Sequence, residues 1–242
     1  MTALGYYQEQ GYRLPRIRGW DVSGDIAHTV ATDYRRLVDI FGLEPPEAPF
    51  TVYVEPGGGS TYHHYGTTTT FFIGTEDPYS AGLTAAVMVD VFAAAAGTGW
   101  EGQATNGTAL RHALASTLHP ELAPLMQGIM HDWWSHGAAD YLSTHGADAH
   151  GPDPTGCGLL FLVYLHDSLN YSWPTIVRAG GATLAGTYAA LTGLPDGHAY
   201  PAFMQALAPF IDCAGWLLLP VHGSPWRAGS LLHCPRATPR GA

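Results

Sequence analysis

Hydrophobic residues recur with the period of an α-helix over much of the chain. In residues 24–42, Val30, Leu37 and Phe41 lie on one helical stripe, and Gly42 follows as a typical C-terminal stop. The same periodicity predicts further helices over residues 79–96, 108–118, 121–144, 158–169, 173–179, 183–191 and 201–211. The chain after residue 79 is therefore predicted to be largely helical.

Alternating β-branched and polar residues predict strands ahead of most of these helices. Residues 50–54 form one such strand, and residues 61–65 and 68–73 form a hairpin or two short strands. A helix, a small sheet and a run of helices predict an α+β fold, with a small N-terminal sheet followed by a mostly helical body. We expect an irregular leader at 1–20, a single domain at 21–211 and an irregular C-terminal tail at 212–242.

The predicted helix at 79–96 is almost wholly apolar and carries one ionisable residue, Asp90. A lone buried carboxylate is unfavourable unless another group pairs with it, so Asp90 is either a catalytic group or a structural partner of Arg111 or a backbone amide. As a catalytic base it would work with Arg111, which could orient it or stabilise developing negative charge, and with His112. Burial would raise the pKa of Asp90, whereas an Arg111 partner would lower it.

A second group of candidates lies in the predicted helix at 121–144. Asp132, His136 and Asp140 follow one another at steps of four residues, which places them on one helical face next to His131. Such a set suits zinc or another divalent metal ion, and the alternative is a solvated polar face. The nearby loop at 145–153 adds His145, Asp148, His150 and Asp153, a pattern that is more typical of a solvated loop.

Composition excludes several functions. The chain has 242 residues, a net charge of −10 and no lysine, so nucleic acid and an anionic membrane surface are poor partners. Without lysine there is no Schiff-base catalysis and no phosphate-binding P-loop. No apolar run approaches the length of a membrane span, and no signal peptide is recognisable, which predicts a cytoplasmic protein or a mature fragment of an exported one.

Cysteine usage is sparse, with Cys157, Cys213 and Cys234 forming no close pair. The count predicts neither a disulfide scaffold nor a zinc site built on cysteine. Cys157 precedes a run of apolar residues, and a thiol at the start of a helix is a conceivable nucleophile. A small buried hydrophobic residue is the more ordinary interpretation of Cys157.

Several segments resemble a group of bacterial zincin-like domains related to metallopeptidases. They are Val87–Phe92, Gly99–Trp100, Thr105–Arg111, Asp140–Leu142, Thr155–Leu165 and Tyr171–Trp173. The resemblance covers about residues 50–195 and implies a zincin-like body. Zincins bind zinc through His-Glu-x-x-His on the central helix. The corresponding helix here has no histidine, so the zinc site of the family cannot be transferred to this chain.

Two functions follow as hypotheses. The first is a hydrolase on a degenerate zincin-like scaffold, with acid–base or metal-assisted chemistry centred on Asp90. The second is a non-catalytic module that binds a peptide or a glycan in an aromatic groove, with Tyr62, Tyr65, Trp133 and Trp134 as candidate lining residues. The expected partners are a peptide, a glycan or a small-molecule substrate, and the expected cofactor, if any, is zinc or another divalent metal.

Overall fold

A computed structural model describes the side chains of residues 29–45, 81–100, 104–145 and 151–210. It describes the backbone of these residues and also of residues 2–3, 16–19, 24–28, 51–55, 60–65, 68–74 and 80. The described helices are α1 (Gly24–Phe41), α2 (Ser80–Ala96), α3 (Thr105–Leu118), α4 (Ala123–Ser135), α5 (Pro152–Val163), α6 (Trp173–Arg178), α7 (Leu184–Thr192) and α8 (Ala199–Leu207). A π-helical turn at Tyr164–Ser168 continues α5, and a 3-10 turn at Pro120–Leu122 precedes α4.

The predicted α+β class is wrong for the packed part of the chain. The ranges with described side chains contain helices and no strand, so this body is all-α. Five strands are traced as backbone only, namely β1 (Thr2–Ala3), β2 (Arg16–Gly19), β3 (Thr51–Glu55), β4 (Ser60–Tyr65) and β5 (Thr68–Gly74), in the order β1-β2-β3-β5-β4. The prediction treated them as a structural layer, but the described hydrophobic core is built by helices and the turns between them.

Helix α1 forms where its apolar stripe predicted it. Val30, Tyr34 and Leu37 are buried, and their spacing places them on the face that packs against α2. The helix ends at Phe41 because Gly42 adopts a left-handed conformation with φ of +72°. On α2, Phe92 packs against the rings of Tyr34 and Phe41, with ring centroids 5.2 and 5.5 Å apart.

Helix α3 lies between α2 and α5. The close approach of α5 depends on Gly158, because a Cβ atom there would lie 2.8 Å from Cβ of Ala109. At the start of α3, the Asn106 side chain donates hydrogen bonds of 2.8 Å to the carbonyl groups of both Gly99 and Gly181. These contacts hold α3 in place, and with it the residues that α3 presents to α2.

The helix predicted over residues 121–144 ends early, at Ser135. Gly137 and Ala138 have positive φ angles of +96° and +50°, which redirects the chain. The turn is secured by Trp133, whose indole N–H donates to the Ala139 carbonyl at 2.9 Å, and by the Tyr200 hydroxyl, which donates to the Ala138 carbonyl. Residues after 136 therefore leave the helical face on which the sequence placed them.

Among the described helices, none has both the length and the apolar character required to cross a membrane. The predicted tail at 212–242 lies outside the described residues, and β1 and β2 lie within the predicted leader at 1–20.

Candidate functional site

Asp90 lies on α2 among apolar neighbours. Met88, Val89 and Phe92 around it are fully buried, and the Asp90 side chain is only 7% exposed. A carboxylate in such surroundings loses most of its hydration, which disfavours its charged form. The sequence therefore correctly placed an isolated acid inside the helical body.

Arg111 on α3 provides the partner for this carboxylate. Its Nη1 donates a hydrogen bond of 2.9 Å to Oδ2 of Asp90. The Arg111 side chain remains 26% exposed, so the pair lies at the edge of the core and not at its centre. Asp90 and Arg111 thus join α2 to α3. The partly exposed guanidinium of Arg111 reaches solvent beside the buried carboxylate of Asp90.

Two opposing effects act on the proton affinity of Asp90. Burial is the larger one, and it raises the pKa of Asp90 to about 6 although the charge and the hydrogen bond of Arg111 act in the opposite direction. For His112, burial and the neighbouring charge of Arg111 act together and lower its pKa to about 4. At neutral pH the cluster holds a cationic Arg111, a neutral His112 and a carboxyl group able to exchange its proton.

The structure does not bring the four predicted metal ligands together. His136 instead contacts Asp153, with Nδ1 2.8 Å from Oδ1, and both residues lie at the surface. Asp140 lies beyond the end of α4 and accepts a hydrogen bond from the Leu142 amide at 2.9 Å. His131 and Asp132 are on α4. Within the described residues, no group of three or more His, Cys, Asp or Glu side chains is arranged to hold a metal ion.

The loop candidates have separate positions. His145 Nδ1 lies 3.0 Å from the Ala182 carbonyl oxygen, whereas Asp148 and His150 are outside the described residues. Cys157 is fully buried in α5, and burial raises the pKa of its thiol to about 12. It is therefore a small buried hydrophobic residue and a poor nucleophile. Cys213 and Cys234 also lie outside the described residues.

One of the four residues predicted to line an aromatic groove lies in the core instead. Trp133 is 1% exposed and stacks on Phe203 with ring centroids 5.9 Å apart, so it belongs to the core. Trp134 beside it is partly buried, and the side chains of Tyr62 and Tyr65 are outside the described set. The described residues therefore supply one of the four predicted groove residues at most.

A second buried cluster was not predicted from the sequence. It consists of Asp33 on α1, His119 at the end of α3 and Glu121 in the following turn. Nε2 of His119 lies 2.6 Å from Oδ2 of Asp33, and Nδ1 lies 2.8 Å from Oε1 of Glu121. Asp33 and His119 are buried, and Glu121 is half exposed. Asp33 lies on the apolar stripe of α1. A charged residue on that stripe was the sequence signal that could have revealed this cluster.

The π-helical turn after α5 holds a further histidine. Nδ1 of His166 lies 2.6 Å from Oδ1 of Asp167, and the imidazole stacks on Trp173 with ring centroids 4.6 Å apart. π-helical turns are often found at functional sites. Here the stacking joins the turn to the first residue of α6, so the contact also has a packing role.

Comparison of the chain with protein-family models, with curated proteins and with solved structures gave no match. The function is therefore inferred from the geometry of the clusters themselves, and foremost from that of Asp90 and Arg111.

Proposed function

We propose that this protein is a hydrolase-type enzyme whose acid–base chemistry is centred on Asp90. One observation carries the proposal: a buried carboxyl group with a pKa of about 6 contacts a partly exposed arginine in an otherwise apolar helix. A carboxyl group with this pKa is mostly ionised at neutral pH yet is a stronger base than an ordinary aspartate. General-base catalysis favours such a value.

The proposed reaction requires one proton acceptor and one positive charge. Asp90 accepts a proton from a water molecule as the water oxygen attacks the acyl carbon of the substrate. The same carboxyl group then gives the proton to the leaving group as the bond between that group and the acyl carbon breaks, so the enzyme returns to its starting state. Arg111 supplies positive charge beside the oxygen on which negative charge develops.

Peptides are the first substrate class to test, because the resemblance to zincin-like domains would place α2 at the position of the helix that carries their catalytic motif. The side chains of α2 do not fit the zinc site of that family. Asp90 is the only ionisable residue of the helix and already bonds to Arg111. The proposed mechanism therefore has no step that depends on a metal.

The test is hydrolysis of fluorescently labelled casein and of p-nitrophenyl acetate by the purified protein. We expect turnover that increases with pH through an apparent pKa of about 6. Asp90→Asn should reduce kcat by roughly 10²–10⁴-fold while the far-UV circular dichroism is unchanged, because the amide cannot accept the proton. Asp39→Asn, at an exposed position on α1, is the matched control and should retain the wild-type rate.

Full activity of Asp90→Asn, or no hydrolysis of either substrate by the wild-type protein, would contradict the proposal. The second result would favour the non-catalytic module, which is supported by one observation: the carboxylate of Asp90 already has a partner in Arg111. For such a module, Asp90→Asn should change the melting temperature and leave no enzymatic rate to measure.

A further inference from the structure

His119 joins two helices that are distant in sequence. The residue ends α3, and its ring contacts Asp33 on α1, which lies 86 positions earlier in the chain. Helix α1 also packs on α2, where Tyr34 and Phe41 cover Phe92. A contact that fastens α1 to the end of α3 therefore also helps to hold the aromatic side of the core closed.

The two contacts of His119 require a particular charge state. Both partner atoms are carboxylate oxygens, at 2.6 and 2.8 Å, and ionised carboxylates only accept hydrogen bonds. A neutral imidazole has one N–H group and can donate to one of them. Only the doubly protonated imidazolium donates to both, so the geometry fits a charged ring between the two carboxyl groups.

The position at the end of α3 favours the same charge state. His119 follows the last residue of α3, and its backbone N–H donates to the Ala115 carbonyl. The carboxyl-terminal end of a helix carries partial negative charge, which stabilises a cation placed there. The ring and the helix end therefore attract each other when the ring is protonated.

We propose that Asp33, His119 and Glu121 form a proton-operated latch that fastens α1 to the end of α3 and loosens when the imidazole loses a proton. The remaining N–H then stays with Asp33, because this carboxylate is 3% exposed and has little access to water. Glu121, which is 50% exposed, faces an unprotonated nitrogen and turns into solvent. The contact with Glu121 is lost, and the contact between α1 and the end of α3 is weakened, because it loses the charge of the imidazolium and remains only as a hydrogen bond from the neutral ring.

The charged surroundings of His119 among the described residues are simple. Burial opposes its charge, but the hydrogen bonds and charges of Asp33 and Glu121 outweigh burial and raise the pKa of His119 above its ordinary value. On α2, the only ionisable residue is Asp90, which bonds to Arg111. Of the charged side chains described on α1, Asp33 contacts the ring, Arg35 is partly buried, and Arg36 and Asp39 are exposed.

The raised pKa fixes the direction of the pH effect. A histidine whose folded-state pKa lies above its unfolded value stabilises the fold fully below the unfolded pKa, which is about 6.5. That stabilisation is lost as the pH rises through the folded-state pKa. The latch is therefore tight below about pH 6.5 and loosens as the pH rises through the raised pKa of His119.

The test compares the melting temperatures of the wild-type protein and His119→Gln from about pH 6 to about pH 9. Wild type should lose on the order of 2–4 °C more than the variant over this range. Amide hydrogen exchange in α1 should accelerate with pH in wild type beyond the intrinsic chemical rate. Asp39→Asn, on the same helix as Asp33, is the control and should follow the wild-type curve. Parallel curves for wild type and His119→Gln would overturn the proposal.

A variant that keeps the histidine guards against misfolding of His119→Gln. Glu121→Gln changes a half-exposed side chain and should lower the midpoint at which the His119 ring titrates by NMR, because one of the two stabilising anions becomes neutral. An unchanged midpoint, or a wild-type midpoint at or below that of an ordinary histidine, would overturn the latch. None of these readouts depends on hydrolytic activity, so the latch and the proposed enzyme function can fail separately.

Discussion

Two buried carboxylates in this protein meet different cations. Asp90 contacts the guanidinium of Arg111 at 2.9 Å, and Asp33 contacts the imidazole of His119 at 2.6 Å. A guanidinium keeps its proton at every physiological pH, so Asp90 is the group that titrates in the first pair. An imidazole loses its proton near neutrality, so His119 titrates in the second. The chemical identity of the cation decides which residue responds to pH.

The two pairs also respond in different pH windows. The raised pKa of Asp90 means that its contribution to stability is fully present below its unfolded value of 3.8 and is lost as the pH rises through about 6. The contribution of His119 is lost only above the ordinary histidine range, because its pKa is raised from there. The free energy of unfolding should therefore fall in two steps as the pH rises. A substitution of Asp90 should remove the first step, and a substitution of His119 should remove the second.

The largest expected effect comes from removing the cation of the first pair. Arg111→Gln should destabilise the fold by about 2–4 kcal/mol near pH 7, because a buried carboxylate loses its partner. The effect should shrink as the pH falls through about 6 and should be small at about pH 4, because Asp90 is then neutral. Urea unfolding at both pH values measures the difference.

The control for Arg111→Gln is the double variant Asp90→Asn/Arg111→Gln. It contains no unpaired buried charge and should be more stable than Arg111→Gln alone near pH 7. Equal or lower stability of the double variant would show that Arg111 stabilises the fold through packing and not through its charge.

A smaller effect is expected in the second pair. Asp33→Asn should destabilise the fold by roughly 1–3 kcal/mol near pH 6, since the imidazolium loses its buried anion. Asp39→Asn on the same helix should stay within about 0.5 kcal/mol of wild type, because its side chain is exposed. Chemical denaturation of both variants in parallel checks the prediction, and similar losses in the two variants would contradict it.

The smallest effect belongs to the exposed member of the latch. Glu121→Gln should cost less than about 1 kcal/mol near pH 6, because half-exposed ion pairs are screened by water. A loss as large as that of Asp33→Asn would mean that Glu121 and not Asp33 is the main anchor of His119. The same denaturation experiment separates these outcomes.

The contact between Asp90 and Arg111 was predictable because its signal is local. A single charge in an otherwise apolar helix needs a partner, and α3, the next helix of the chain, offers one arginine. The direction of the pKa was not predictable, because burial and the arginine oppose each other and only the packed structure shows which is larger. The sequence therefore indicated the residues of this site but not their electrostatics.

The Asp33 cluster was missed because Asp33 and His119 are 86 positions apart in the chain. The acid does interrupt the apolar stripe of α1 between Val30 and Leu37, which is the same signal that identified Asp90. Its partner could not be inferred, because that requires knowing that the end of α3 packs beside α1. Long-range packing of this kind leaves no periodic trace in the sequence.

Two further predictions fail for identifiable physical reasons. The helical face that would have aligned Asp140 with Asp132 is interrupted where Gly137 and Ala138 adopt positive φ. The α+β prediction was based on alternating residues before position 75. The part of the chain with described side chains, however, contains helices and no strand. Alternation indicates local strand geometry, but it does not show what a strand packs against.

The decisive experiment on the proposed acid–base role of Asp90 is a titration of its carboxyl group in the folded protein. Carbon-13 NMR of selectively labelled aspartate, with Asp90→Asn used to assign the resonance, gives its pKa in the folded protein. We expect a midpoint of about 6, because burial of Asp90 outweighs the effect of Arg111. A midpoint at or below the ordinary value of 3.8 would mean that Arg111 outweighs burial, that Asp90 is a permanently charged structural partner, and that the proposed acid–base chemistry is wrong.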